Sequence, residues 1–344
     1  MLASLIRDLI PAKSSVQLSN ALKSLCHAPS LVSGASRADL EAVHSGLVVP
    51  CLTARTSVLV SETTNASQHY SVSVKFHDHV SLVIPDYFTA LGYVLSMQAH
   101  GPLTMAERIT LLAMYARVCK LSSPLVQSRA PTTVQLLWVD SSQTKDTRIV
   151  LGSSLAWLKV RGHFLMARSV RERILRDLWR DALVNPTPMQ ARFPNPVGAL
   201  FGTCWGDCAE AISLPAFWQH VASGTPLRTL ALNVAALNAA DPLTGLSACD
   251  LILANAGYSG VLSLQDIFAI LARANAFRAM CKNCEHLRDI VGADIVDCAQ
   301  PEFWGQQLGA ATITTSFAES ENGHMSVLAP ALAASIWDSS TLKG

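Results

Sequence analysis

Two stretches decide how the chain is read: FGTCWGDCAEA at 201–211 and AMCKNCEHLRDIVGADIVD at 279–297. In the second, Cys281-Lys282-Asn283-Cys284 opens an amphipathic run. The spacing predicts a helix over Cys281–Val291 with both thiols on one side of its first turn. Two sulfurs placed in that way can share a metal ion, and a helix N-terminus favours their thiolate form. The first stretch predicts a helix near Cys208–Val221, with Glu210 two residues beyond Cys208. On a regular helix these two side chains diverge, so both reach one ion only if it lies off the N-terminal end. Thiolates select a soft or borderline cation, of which zinc is the natural choice. Cys208, Cys281 and Cys284 together leave one tetrahedral position open for water, as catalytic zinc sites do. A carboxylate at Glu210 beside that water is equipped for general acid and base work.

Outward from this pair, the order alternates. A strand at Gly198–Phe201 and the Cys208 helix precede a strand over Leu227–Ala235, a helix over Leu264–Arg273, the Cys281 helix and a strand over Ala293–Asp297. Alternating β and α imply a sheet with helices on both faces, an α/β/α arrangement of three layers. The two motifs resemble those of compact zinc-dependent deaminases, against which the 73-residue interval from Cys208 to Cys281 implies an insertion at 238–275, expected at the mouth of the pocket. Upstream, four prolines in NPTPMQARFPNPV (185–197) forbid regular helix and predict a connector. We therefore expect a mainly helical region over 1–184 and the metal-binding domain over 185–344. Helices are predicted at Met1–Ile10, Ser19–Cys26, Tyr87–Met97, Thr104–Cys119 and Ser169–Val184. Strands are predicted at Ser57–Glu62 paired with Tyr70–Ile84, and at Thr133–Val139 and Arg148–Val160.

A Cys-Ala-Glu at one helix start, followed by Cys-x-x-Cys at a later one with a strand between them, resembles the zinc-dependent nucleoside and nucleic-acid deaminases. GDCAEA with CKNCEHLRDIVGADIVD looks most like the YwqJ-like, toxin-type deaminases and their fungal relatives, and the likeness covers roughly 195–300. It implies a deaminase-type mixed sheet, with zinc held by Cys208, Cys281 and Cys284. It also implies that Glu210 carries protons from the activated water to the base and the leaving ammonia, in hydrolysis of a cytosine ring. Met280 stands where that family usually has proline. The substrate class so implied spans nucleosides, nucleotides and single-stranded nucleic acid. Three other readings stay open: a closed zinc knot completed by Cys204, an inactive interaction or scaffold domain, and an exported toxin.

Composition sets limits around these readings. Half of the 344 residues are hydrophobic, 15% are charged and mean hydropathy is +0.30, which suits a large packed core and excludes a disordered chain. The longest apolar runs, Leu251–Gln265 and Met325–Trp337, are too short and too interrupted to span a bilayer. The N-terminus lacks the order of a secretory signal, because Arg7 and Asp8 break its apolar stretch. We expect an intracellular protein with no membrane partner, in which an odd count of nine cysteines does not form a disulfide framework. No internal repeat and none of the common nucleotide-binding, serine-hydrolase or zinc-protease motifs is present.

The net charge of +1 divides unevenly. Residues 1–184 hold 19 basic and 12 acidic residues, whereas 185–344 hold 7 and 13. A polyanionic substrate would therefore need the basic half. Arg168, Arg171, Arg173, Arg176 and Arg180 offer it one helix face, although Glu172, Asp177 and Asp181 also suit a solvated, self-paired face. Trp205 and Trp218 flank the Cys-Ala-Glu motif and are candidates for stacking on a base, as they are for the core. His77 and His79 alternate on a strand without a third ligand nearby.

Overall fold

The computed structural model describes residues 2–27, 37–57, 71–76, 80–98, 102–139, 148–156, 161–179, 206–217, 221, 223–242, 244–257 and 262–308. The chain opens with α1 (Leu2–Leu9), α2 (Ser15–His27) and α3 (Arg37–Val43), then a single π-helical turn at His44–Val48 and α4 (Val49–Ala54). Next come β1 (Val72–Phe76) and β2 (Val80–Ile84), an antiparallel pair with Val72 opposite Ile84. The long strand expected over Tyr70–Ile84 is thus two strands that pair with each other. Residues 58–62, its expected partner, and His77 and His79 lie outside the described residues.

Two well-capped helices follow. Asp86 accepts the Thr89 N–H to start α5 (Tyr87–Ser96), and Thr104 with Glu107 forms a capping box for α6 (Met105–Ser122). After β3 (Thr133–Val139) and β4 (Ile149–Ser153) come α7 (Arg161–Trp179), α8 (Glu210–Ala216), β5 (Leu227–Asn233) and α9 (Val234–Asn238). The described chain ends with α10 (Ala248–Gly257), α11 (Leu264–Arg273), β6 (Phe277–Arg278), α12 (Lys282–Val291), β7 (Ile295–Asp297) and α13 (Pro301–Leu308). Among the described residues no helix is long and apolar enough to cross a membrane.

The architecture is mixed α/β, as the alternating pattern implied. Strand β3 lies between β4 and β5 and is antiparallel to both, while the other edge of β5 pairs antiparallel with β6 and parallel with β7. Helix α6 packs on one face of β3, where Arg108 lies over the Trp138 ring. Helix α8 packs on the other, where Ser213 donates a hydrogen bond to Gln135 at 2.5 Å. Gln135 and Trp138, three positions apart, face opposite sides because side chains of a pleated strand alternate. Helix α5 guards β4: the Leu151 N–H donates to Ser96 Oγ at 2.8 Å, so a backbone group at the sheet margin is satisfied by a side chain.

Two expectations are corrected by this topology. Strands β3 and β4 precede the proline-rich segment and β5, β6 and β7 follow it, yet all five form one sheet over one hydrophobic core. The division at 184/185 therefore does not separate two cores. Every residue of β3 pairs with β5, and neither strand has its neighbours without the other. The 238–275 segment, expected at the pocket mouth, packs on α6 through α9, α10 and α11. Its apolar residues Ile252, Ile267, Phe268 and Leu271 are buried there, while Arg117 on α6 bonds Asn238 and Asp250 at 3.0 and 2.9 Å.

Candidate metal centre

Three sulfurs converge at the N-terminal ends of two helices. Cys208 sits two residues before α8, Cys281 immediately precedes α12, and Cys284 lies in the first turn of α12. Their Sγ atoms all lie within 4.8 Å of one another, and Cys208 and Cys281 are 3.0 Å apart. All three are free thiols; a disulfide would bring two sulfurs to about 2.05 Å. Neither helix has a side-chain cap at its start.

Several residues force the two turns together. Gly206 has φ +81°, and a Cβ there would come within 3.0 Å of the Arg168 carbonyl on α7, so the turn before α8 depends on glycine. Asp207 receives two hydrogen bonds from the Arg168 guanidinium, at 2.6 and 2.7 Å, while its carbonyl accepts from the Leu155 N–H. Gly152 on β4 lies directly under the motif: a Cβ at that position would run into the Ala209 carbonyl. At the second turn, Asp297 at the end of β7 accepts the Met280 N–H at 2.8 Å and the Ala299 N–H at 2.9 Å. Met280 thus contributes an N–H that proline would lack, and the entry to α12 is fixed by a hydrogen bond.

Glu210, the first residue of α8, is buried at 5% exposure and shares a recess with Cys208 and Cys284. Leu175, Leu214 and Leu287 form the apolar wall of that recess. Burial, reinforced by the neighbouring Cys281 sulfur, pushes the Glu210 carboxyl up to about 7, against hydrogen bonds from its own backbone and from Cys284 that lower it. The Cys208 thiol is held well above its ordinary value chiefly by its hydrogen bond with Cys281, and the Cys284 thiol by hydrogen bonds with Cys208 and Cys281. Burial adds to both shifts. Protonated, the sulfurs bond to each other; a dication among them would displace those protons.

This donor set fits a metal ion. Three gathered thiols match a soft or borderline cation, and among the described residues no further Cys, His, Asp or Glu joins the group. Cys298 is not part of it and directs its thiol to the Val296 carbonyl at 3.8 Å. Cys204, Trp205, Trp218 and His220 lie outside the described residues, as do the side chains of Lys282 and His286.

The arginines of α7 divide between the interior and the surface. Arg168 pairs with Asp207, and Arg171 is wholly buried against Asp86, so these two serve the interior rather than a solvated or substrate-facing stripe. Arg173 and Arg176 are exposed, and Arg180 lies outside the described residues. Sequence reading gave Asp86, Gly152 and Asp297 no part in the site. Asp86 stands at the N-cap of the expected Tyr87 helix and Asp297 ends the expected Ala293–Asp297 strand, but neither position reveals the distant segment it binds, and Gly152 carries no local signal. No protein-family model, curated protein or solved structure matches this chain.

Proposed function

We propose that the chain is a zinc-dependent hydrolytic deaminase acting on a cytosine base in a nucleoside, a nucleotide or a single-stranded nucleic acid. The observation that carries this reading is the meeting of three thiols with the buried Glu210 carboxyl in one recess. A purely structural zinc knot has no use for Glu210 in that place.

Cys208, Cys281 and Cys284 would hold the ion, and zinc bound there supplies a water acidified enough to act as a nucleophile at neutral pH. Glu210 does the proton work. Buried at the start of α8 in the same recess as the sulfurs, its carboxyl is placed to accept a proton from that water and to deliver one. The acceptors are the ring N3 and then the departing amine at C4, which gives uracil and ammonia from cytosine and water. Leu175, Leu214 and Leu287 keep bulk water from the carboxyl and so sustain its raised pKa.

The test is ammonia release from cytidine, deoxycytidine, dCMP and single-stranded DNA by the zinc-loaded chain and by Glu210→Gln. We expect release from at least one substrate and a fall of about 10²- to 10⁴-fold in the variant, which keeps its zinc. No release from any of the four, or equal release by both proteins, would contradict the proposal.

A further inference from the structure

We propose that Arg171 is a positioning residue for the metal site, whose guanidinium fixes the 206–208 turn so that the Cys208 sulfur and the Glu210 carboxyl enter one recess. This rests on reading the three cysteines as metal ligands.

Arg171 lies on α7 with none of its side chain exposed. Its Nη2 donates to Asp86 Oδ2 and to Thr89 Oγ1, each at 2.8 Å. Its Nη1 donates to the Ser153 carbonyl at 2.9 Å, with longer contacts to the carbonyls of Cys208 at 3.4 Å and Gly206 at 3.5 Å. One planar group therefore joins the start of α5, the end of β4 and the turn that carries the first ligand.

Stability alone gives a poor reason for this arrangement. A buried ion pair is commonly no better than apolar side chains of the same volume, because both charges lose their hydration. What the pair supplies is direction. The guanidinium donors are fixed in a fork, and Asp86 is itself locked by the Thr89 N–H at 3.0 Å and the Thr89 hydroxyl at 2.8 Å. Arg171 touches neither a thiol nor the Glu210 carboxyl; it holds the backbone from which both project. Groups that orient a metal ligand without touching the ion change metal affinity when removed. Lysine, with a single compact ammonium, cannot serve acceptors at both ends of the fork.

The full chain is prepared as wild type, Arg171→Lys and the double variant Asp86→Asn with Arg171→Met. Asparagine keeps a capping oxygen for the Thr89 N–H, and the pair of changes leaves no lone buried charge. Zinc affinity is measured by competition with a chromophoric chelator, and cobalt(II) absorption reports the thiolate geometry. We expect wild-type circular dichroism, zinc binding weakened by about 10- to 100-fold, and an altered cobalt spectrum. Arg117→Met, which breaks a partly exposed pair on the α6 side of the sheet, should lower thermal stability and leave zinc affinity unchanged. Unchanged affinity in the folded double variant, or an equal loss in Arg117→Met, overturns the inference. If the double variant does not fold, Arg171→Lys decides by the same two readouts. A wild-type chain that takes up no zinc removes the metal reading itself, a failure distinct from unchanged affinity in a variant.

Discussion

On the α6 face of the sheet, Val134, Leu136 and Trp138 of β3 meet aliphatic and aromatic neighbours, and beyond them Phe268, Phe277, Phe303 and Trp304 form a ring cluster with centroids 4.9 to 5.6 Å apart. On the α8 face the same strand turns Gln135 inward. Its amide donates to Thr229 at 2.6 Å and its carbonyl oxygen accepts from Ser213, tying α8 to two strands, while Arg171, Asp86 and Glu210 are buried on the same side. The aromatic face binds through area and shape and tolerates local rearrangement. The polar face has little such latitude, because each buried donor and acceptor must find its partner, and so it dictates where α8 begins. Stability and site geometry are thus served largely by opposite faces of one sheet.

Substitutions on each face can break or sharpen this contrast. Phe268→Ala removes the ring nearest to Trp304 in the aromatic cluster and should cost about 3–5 kcal/mol in urea unfolding, with zinc stoichiometry unchanged in the folded protein. A loss of zinc binding there would mean that the faces are coupled.

The next largest effect is a pH dependence confined to the α8 face. Glu210 has its folded pKa raised from 4.5 to about 7, so the folded chain holds that proton more tightly than the unfolded chain does. In protein stripped of zinc by a chelator, this contribution is complete below pH 4.5 and is lost as the pH rises to about 7. It amounts to about 3 kcal/mol, and Glu210→Gln should flatten the slope across that window. A stability profile identical in wild type and variant would place the carboxyl in water.

Gly152→Ala should have the smallest effect, about 1–3 kcal/mol, because the added methyl forces β4 and the Ala209 carbonyl apart. Unlike Phe268→Ala, it should also weaken zinc binding in a competition titration.

The elements that could be read from sequence are those with strong local signals. Strand β3 matches its expected range, being a run of β-formers bounded by polar residues, and α11 matches because Ser263 and Asp266 form a capping box ahead of an amphipathic run. The gathering of Cys208, Cys281 and Cys284 beside Glu210 was legible as well, since their spacing lies within two short turns. What escaped was non-local. Thr133 pairs with Asn233 across the expected domain boundary, and no window of sequence contains both. Arg171 sits among acidic residues one and six places away and reads as a surface position, yet its partner Asp86 lies 85 residues earlier. Gly152 matters only because another segment's carbonyl lies over it.

The most direct measurement is zinc content by elemental analysis of purified wild type, Cys281→Ala and Glu210→Ala protein. The account requires about one zinc per chain in wild type and in Glu210→Ala, and none in Cys281→Ala. Absence of zinc from the wild type, or zinc retained in full without Cys281, would contradict it.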